Sequence, residues 1–270
     1  MYFASTHADF FYAHYLAVIS AIKTQKVDNI IMLCTTPPIG KYAELLKGKV
    51  EFQQFTISDY QQFRHTPQYG IGGAKLKAAH SKDYIQWTTL YENGGIFADL
   101  DTISIKDMSQ LLGSFDVIAT PRFLPGYNLS YESAVVIAKK GSLVIHDALT
   151  YALQALNSNI AKYQTTGPLA YTRAINNHKH IVGFPGYDVL SPRIKPKVKD
   201  PLFGIRIVSQ RYIPTWENLP VPDVCYILHI FASSSDLPII SKEWVESSNT
   251  MYARAVKQVL TRDEWYKGVV

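Results

Sequence analysis

Cysteine is scarce in this chain of 270 residues: its two thiols, Cys34 and Cys225, lie far apart, each in an apolar run. Isolated thiols in such runs are expected to be buried, which excludes a disulfide scaffold and a thiolate metal centre. Long apolar runs are missing too. The stretch from Phe10 to Ile22 is short and contains His14, too little to span a bilayer. No basic leader segment is read, so the Asn128-Leu129-Ser130 sequon is taken as chance. Charge is sparse, at 18% of residues, and the excess of 27 basic over 22 acidic side chains is diffuse. Its densest run, Arg193, Lys195, Lys197 and Lys199, is broken by Pro192 and Pro196 and reads as a solvated loop. Basic and aromatic residues do not interleave as in nucleic-acid modules, so no nucleic-acid partner is expected. A formal charge of +5 favours anionic ligands or anionic membrane surfaces. The expectation is a cytoplasmic protein able to rest on a membrane by its basic surface. With no repeat or low-complexity tract, residues 1–270 are read as one domain.

What is present is an ordinary folding chain, 47% hydrophobic, with 18 tyrosines and 4 tryptophans. Flat side chains of this kind stack on sugar faces, though any single one serves a core equally well. Tyr2 to Ser5 reads as a strand, Asp9 to Thr24 as a helix, and Asn29 to Cys34 as a buried strand stopped by two prolines. Glu51 to Ile57, Phe115 to Thr120, Ser133 to Ala138 and Tyr226 to Phe231 are further strands, and Leu143 to Leu156 is a helix. Glu243 to Leu260 reads as a helical tail, and the proline-rich segment from Phe184 to Pro222 as an ordered surface excursion, either a lid or a wall facing the acceptor. Strands alternating with helices predict an α/β fold, with a mixed, mainly parallel sheet flanked by helices.

The chemistry concentrates at Tyr91 to Asp101, Tyr-Glu-Asn-Gly-Gly-Ile-Phe-Ala-Asp-Leu-Asp. A helix ends at a Gly-Gly turn, and a short apolar run carries two aspartates one residue apart. On a strand, i and i+2 point to the same side, so Asp99 and Asp101 present two carboxylates together. Paired hard oxygen ligands suit Mg²⁺ or Mn²⁺, and such an ion suits a diphosphate. In a parallel sheet this place is the carboxyl end of the strands, where ligands bind. The preceding helix, Ala74 to Tyr91, advances about 100° per residue. That puts Leu76, Ala79, His80, Asp83, Tyr84, Trp87, Leu90 and Tyr91 on one face. Lys77, Ser81, Lys82, Ile85, Gln86, Thr89 and Glu92 are assigned to the wetter side. Asp83 thus lies within an apolar stripe, where a carboxylate is costly unless paired or bound to ligand hydroxyls. His80 beside it is expected to be a core histidine.

Ala79 to Asp101, with Ser81, Asp83, Leu90, Tyr91, Gly94, Gly95, Asp99 and Asp101, resembles the sugar-binding Asp-x-Asp region of glycosyltransferase family 32. That pattern carries an arginine three residues after the first aspartate; here the position is Gln86. Thr166-Gly167-Pro168 resembles the family's turn beside the donor site, and His229 its late histidine. Ser133 falls where relatives often have asparagine. Tryptophans usual in the opening strand and near the late histidine are missing, with Phe3-Ala4-Ser5 in the strand and Trp244 the first one after His229.

The resemblance implies a Rossmann-like GT-A fold and a retaining transfer from a nucleotide-sugar donor, UDP by family habit, to a glycan or lipid-linked acceptor, as in polysaccharide biosynthesis. It implies Mn²⁺ or Mg²⁺ held by Asp99, Asp101 and His229, with Asp99 and Asp101 at the reacting centre. Donor contacts fall to Asp83, Ser5, Thr166, Gly167 and Gly95. Front-face attack, with the leaving phosphate oxygen taking the acceptor proton, needs no enzyme base, and spacing singles out none of Glu132, Asp188 and His146. Two other readings remain: a degenerate domain that binds without turnover, motivated by Gln86 and the missing tryptophans, and a nucleotidyltransferase. The latter wants a glycine-rich basic loop after the first strand. Ser5-Thr6-His7-Ala8 is not one, and Gly70-Ile71-Gly72-Gly73 lies too far along.

Overall fold

Short apolar strands, each followed by a turn or helix, can be laid side by side in parallel only through crossovers, and the chain supplies these. In the computed structural model, residues 1–55, 78–113, 115–123, 129–157, 164–183, 221, 223, 225–230 and 237–268 are described. β1 (Tyr2–Ser5), β2 (Ile31–Cys34) and β3 (Glu51–Gln54) pair in parallel. β4 (Gly95–Ala98) runs parallel to β1 on its other side, with Tyr2 opposite Phe97. β9 (Val135–Ala138) lies antiparallel between β4 and β6 (Val117–Ile118), and β10 (Val182–Gly183) closes that edge parallel to β6. The order is β10-β6-β9-β4-β1-β2-β3. Two small antiparallel pairs complete the strands: β5 (Thr102–Ser104) with β11 (Ile227–His229), and β7 (Pro121–Phe123) with β8 (Leu129–Tyr131).

Helices cover both faces of the large sheet. They are α1 (Tyr12–Thr24), the short α2 (Lys41–Glu44), α3 (Ala78–Asn93), α4 (Leu143–Asn157), α5 (Pro168–Asn177), α6 (Lys242–Ser247) and α7 (Met251–Val259). Successive strand residues face opposite sides, and the two cores divide accordingly. Phe3, Met32, Ile96 and Ala98 pack with α1 and α7, whereas Leu33, Phe97 and Val136 pack with α3, α4 and α5. The expected single helical tail is two helices, because Ser248 and Thr250 interrupt it; Thr250 caps α7 by accepting from the Ala253 amide. The chain end is tied back to α1: Tyr12 and Tyr15 donate to the carbonyls of Trp265 and Glu264, and Lys23 pairs with Glu264 at 2.7 Å. Cys34 and Cys225 are both buried, as read from sequence.

The helix before the Gly-Gly turn departs from expectation. Most of its assigned wet side is dry: Ile85 and Gln86 are fully buried, and Ser81 and Thr89 nearly so, while Tyr91, assigned to the apolar face, is exposed along with Glu92. The helix is wedged between β1 and β4 beneath and α4 above, with Trp87 stacked on Tyr171 of α5 at 5.2 Å. A helix flanked on three sides has no solvent face for periodicity to find. Among the described residues, no helix is long and apolar enough to cross a membrane. Asn128, Gly70 to Gly73, Asp188 and, apart from Val221, the segment from Phe184 to Pro222 lie outside the described residues.

Candidate active site

The two aspartates are not on a strand. β4 ends at Ala98, and Leu100 and Asp101 form a turn that carries the chain from the large sheet to β5. The Thr102 hydroxyl closes that turn by donating to the Asp99 carbonyl at 2.7 Å, while the Asp99 amide extends the β4–β9 ladder by donating to the Ala134 carbonyl at 2.8 Å. β11, antiparallel to β5, sets His229 opposite Thr102, and the Ile230 amide donates to the Asp101 carbonyl at 3.0 Å. Convergence therefore comes from the change of sheet rather than from strand alternation. One ligand atom from each of Asp99, Asp101 and His229 lies within 4.8 Å of the others, and His229 Nε2 is 3.2 Å from an Asp101 oxygen. Two carboxylates and an imidazole form a donor set that fits a divalent ion of the Mn²⁺ or Mg²⁺ class, with Mn²⁺ the more tolerant of the nitrogen ligand.

Asp83 sits behind this cluster on α3 and is almost fully buried. The Thr166 hydroxyl donates to its Oδ2 at 2.8 Å, and the Thr166 carbonyl accepts from the Trp87 indole at 2.8 Å. Gly167, immediately before α5, presses on the same carboxylate: a Cβ there would meet both Asp83 oxygens at 2.8 Å. Gly167→Ala is therefore expected to push Asp83 off Thr166 and leave it under-bonded, costing about 1–3 kcal/mol, read as a lowered midpoint of thermal unfolding. An unchanged midpoint would mean that the contact is slack.

Lys82 is expected on the wet side of the helix, and Gln86 stands where the family pattern has a cation. The structure brings the Lys82 ammonium into the site, 2.7 Å from Asp99 Oδ1 and 3.6 Å from Asp83 Oδ1. Lys82 also donates to Gln86 Oε1 at 3.1 Å, and the buried Gln86 amide donates onward to the Ser133 carbonyl at 2.7 Å. The available signal was the i,i+4 spacing of 82 and 86 beside Asp83. Burial works against the Lys82 ammonium, but Asp99 and Asp83 outweigh it and raise its pKa above the ordinary lysine value. Burial also raises the Asp83 and Asp99 carboxyls, with Lys82 opposing in both cases. At His229, burial favours the neutral ring, but Asp101 wins and the net shift is upward.

The remaining candidates divide by position. Ser5 ends β1 at the same sheet edge as Asp99, and its hydroxyl donates to the His7 carbonyl at 2.9 Å. Gly95 opens β4 with a positive φ of 100° and packs against the Tyr2 ring. Four residues of strand, about 13 Å, separate it from Asp99, so the fold does not bring it to the cluster. Glu132 is buried, and its Oε1 accepts from the amides of Ser133 and Ala134, next to the strand that supports Asp99. His146 lies elsewhere, half exposed beside Asp147 on α4.

Residues 17–118, which contain Asp83, Asp99 and Asp101, match the family model described as the glycosyltransferase sugar-binding region containing the DXD motif. The chain carries a DXD glycosyltransferase region. Among solved structures it is similar to the apo bifunctional glycosyltransferase WbbM, at 14% identity and TM-score 0.57, covering 99% of this chain and 51% of that one. It is also similar to the galactosyltransferase LgtC in complex with donor and acceptor sugar analogues, at 13% identity and TM-score 0.50, over 99% of both chains. At such identities the likeness is one of fold, and that fold is the GT-A fold. The chain spans about half the length of WbbM. No curated protein sequence matches it significantly. Thr166, Gly167 and His229 lie outside the matched residues.

Proposed function

We propose that the chain, as a single domain, is a metal-dependent, retaining glycosyltransferase that moves a sugar from a UDP-sugar to a glycan or lipid-linked acceptor. The observation that carries the reading is the convergence of Asp99, Asp101 and His229 at the carboxyl edge of the sheet, with Asp83 and Thr166 behind. Asp101, His229 and Asp99 are the groups suited to hold a divalent cation. When bound, that cation neutralises charge developing on the departing nucleoside diphosphate. Asp83, oriented by Thr166 and Gly167, accepts hydrogen bonds from donor-sugar hydroxyls and fixes the ring, with Ser5 at the same edge. The acceptor oxygen bonds to the anomeric carbon from the face that the diphosphate leaves. Its proton passes to the departing phosphate oxygen, so configuration is retained and no side-chain base is consumed. The +5 surplus suits a reaction at an anionic membrane surface.

A screen of UDP- and GDP-sugars for nucleoside diphosphate release tests this. Release is expected with one UDP-sugar in Mn²⁺ and none after chelation by EDTA. Binding without release across the panel would favour a non-catalytic domain, and pyrophosphate release a nucleotidyltransferase. Either result sinks the proposal.

A further inference from the structure

Lys82 is an interior cation that metal-assisted transfer does not itself require. It belongs to the same helix as Asp83, its side chain is only 17% exposed, and its ammonium lies against Asp99, one of the three candidate ion ligands. Gln86, one turn on, fixes it in place: its Oε1 receives the ammonium, while its amide is anchored on the Ser133 carbonyl at 2.7 Å. The ammonium is thus held by Gln86 and by Asp83, 3.6 Å away, against Asp99 rather than left to swing into solvent.

We propose that Lys82 is a positioning residue that makes ion retention depend on donor. The proposal rests on the donor-and-metal reading above. Asp99, Asp101 and Asp83, which lies 3.6 Å from the ammonium, carry three negative charges; a divalent ion and the Lys82 ammonium together cancel them. Without the ammonium the loaded cluster would stay net negative. The ammonium therefore repels a bare divalent ion and removes repulsion that a diphosphate would meet, because charges a few ångströms apart in a partly buried site interact strongly. Lys82 therefore weakens binding of the ion alone and strengthens binding of the nucleoside diphosphate to the ion-loaded site.

The test uses the native chain and Lys82→Met, titrated calorimetrically with Mn²⁺ alone and then with UDP at saturating Mn²⁺. Opposite shifts are expected in Lys82→Met: Mn²⁺ bound about tenfold more tightly and UDP about tenfold more weakly. Lys82→Arg, which keeps the charge, should stay within about threefold of native for both. A merely structural role moves both affinities of Lys82→Met in the same direction or neither, and either result overturns the proposal. If Lys82→Met does not fold, Lys82→Gln takes its place, since an amide can still meet Asp99 and Gln86. Loss of the folded state in both makes the charge structural and overturns the proposal as well. A native chain that binds neither Mn²⁺ nor UDP brings down the donor-and-metal reading itself. Native binding with same-sign shifts brings down only the role of Lys82.

Discussion

Asp101→Asn is expected to lower donor turnover by about 10³-fold while leaving the fold intact. Asparagine matches aspartate in size but carries no charge, and Asp101 is the residue with two jobs at the cluster. Its carboxylate stands among the ligand atoms within 4.8 Å of one another, and it lies 3.2 Å from His229 Nε2. It is also the main influence holding the His229 pKa above its ordinary value. Losing that charge removes an anionic ligand and frees the imidazole that supplies the third donor. Its backbone contribution survives, because the Asp101 carbonyl still accepts from the Ile230 amide. Circular dichroism should therefore be unchanged while nucleoside diphosphate release collapses. Retention of a tenth or more of native turnover would remove Asp101 from the reacting centre.

The second large effect falls on folding. Gly94 has a φ of 69°, and a Cβ there would stand 2.5 Å from the Lys140 backbone nitrogen and 3.1 Å from the Ala138 carbonyl oxygen. Ala138 pairs with Gly95 at the start of β4, so the clash would prise apart the two strands that carry Asp99 and Ala134. Left-handed backbone strain and a collision with main chain that cannot rotate away together cost about 3 kcal/mol or more. Gly94→Ala should lower the thermal midpoint by about 6–12 °C. Gly141→Ala is the control. Its φ of 72° is equally strained, yet nothing lies within 4 Å of a Cβ there, so about 1–2 kcal/mol is expected. Equal effects of the two substitutions would show that the close approach of β4 and β9 contributes nothing.

Much of this architecture could be read in one dimension. The apolar runs at Tyr2–Ser5, Ile31–Cys34 and Val135–Ala138 are strands because short runs bounded by turn residues have few other ways to bury themselves. The Gly-Gly turn before β4 was legible for a related reason: both glycines adopt positive φ, which few other residues accept. The aspartate pair and Asp83 were found by spacing. The helix between them was misread, since helical periodicity reports a boundary between water and protein, and α3 has no such boundary over Ile85 to Leu90. Position 86 misled for the same reason: the cation lies one turn earlier on that helix, at Lys82, and reaches Asp99 directly.

Local sequence chose the elements, the turn glycines and the acidic residues, because backbone conformation and residue chemistry act over a few neighbours. Tertiary structure decided which charges meet. His229 lies far from Asp101 along the chain and joins it only because β5 leaves the large sheet to pair with β11. Thr166 reaches Asp83 only because α5 docks on α3 through Trp87 and Tyr171. Electrostatic partners are set by distance in space, and distance in space is fixed by packing.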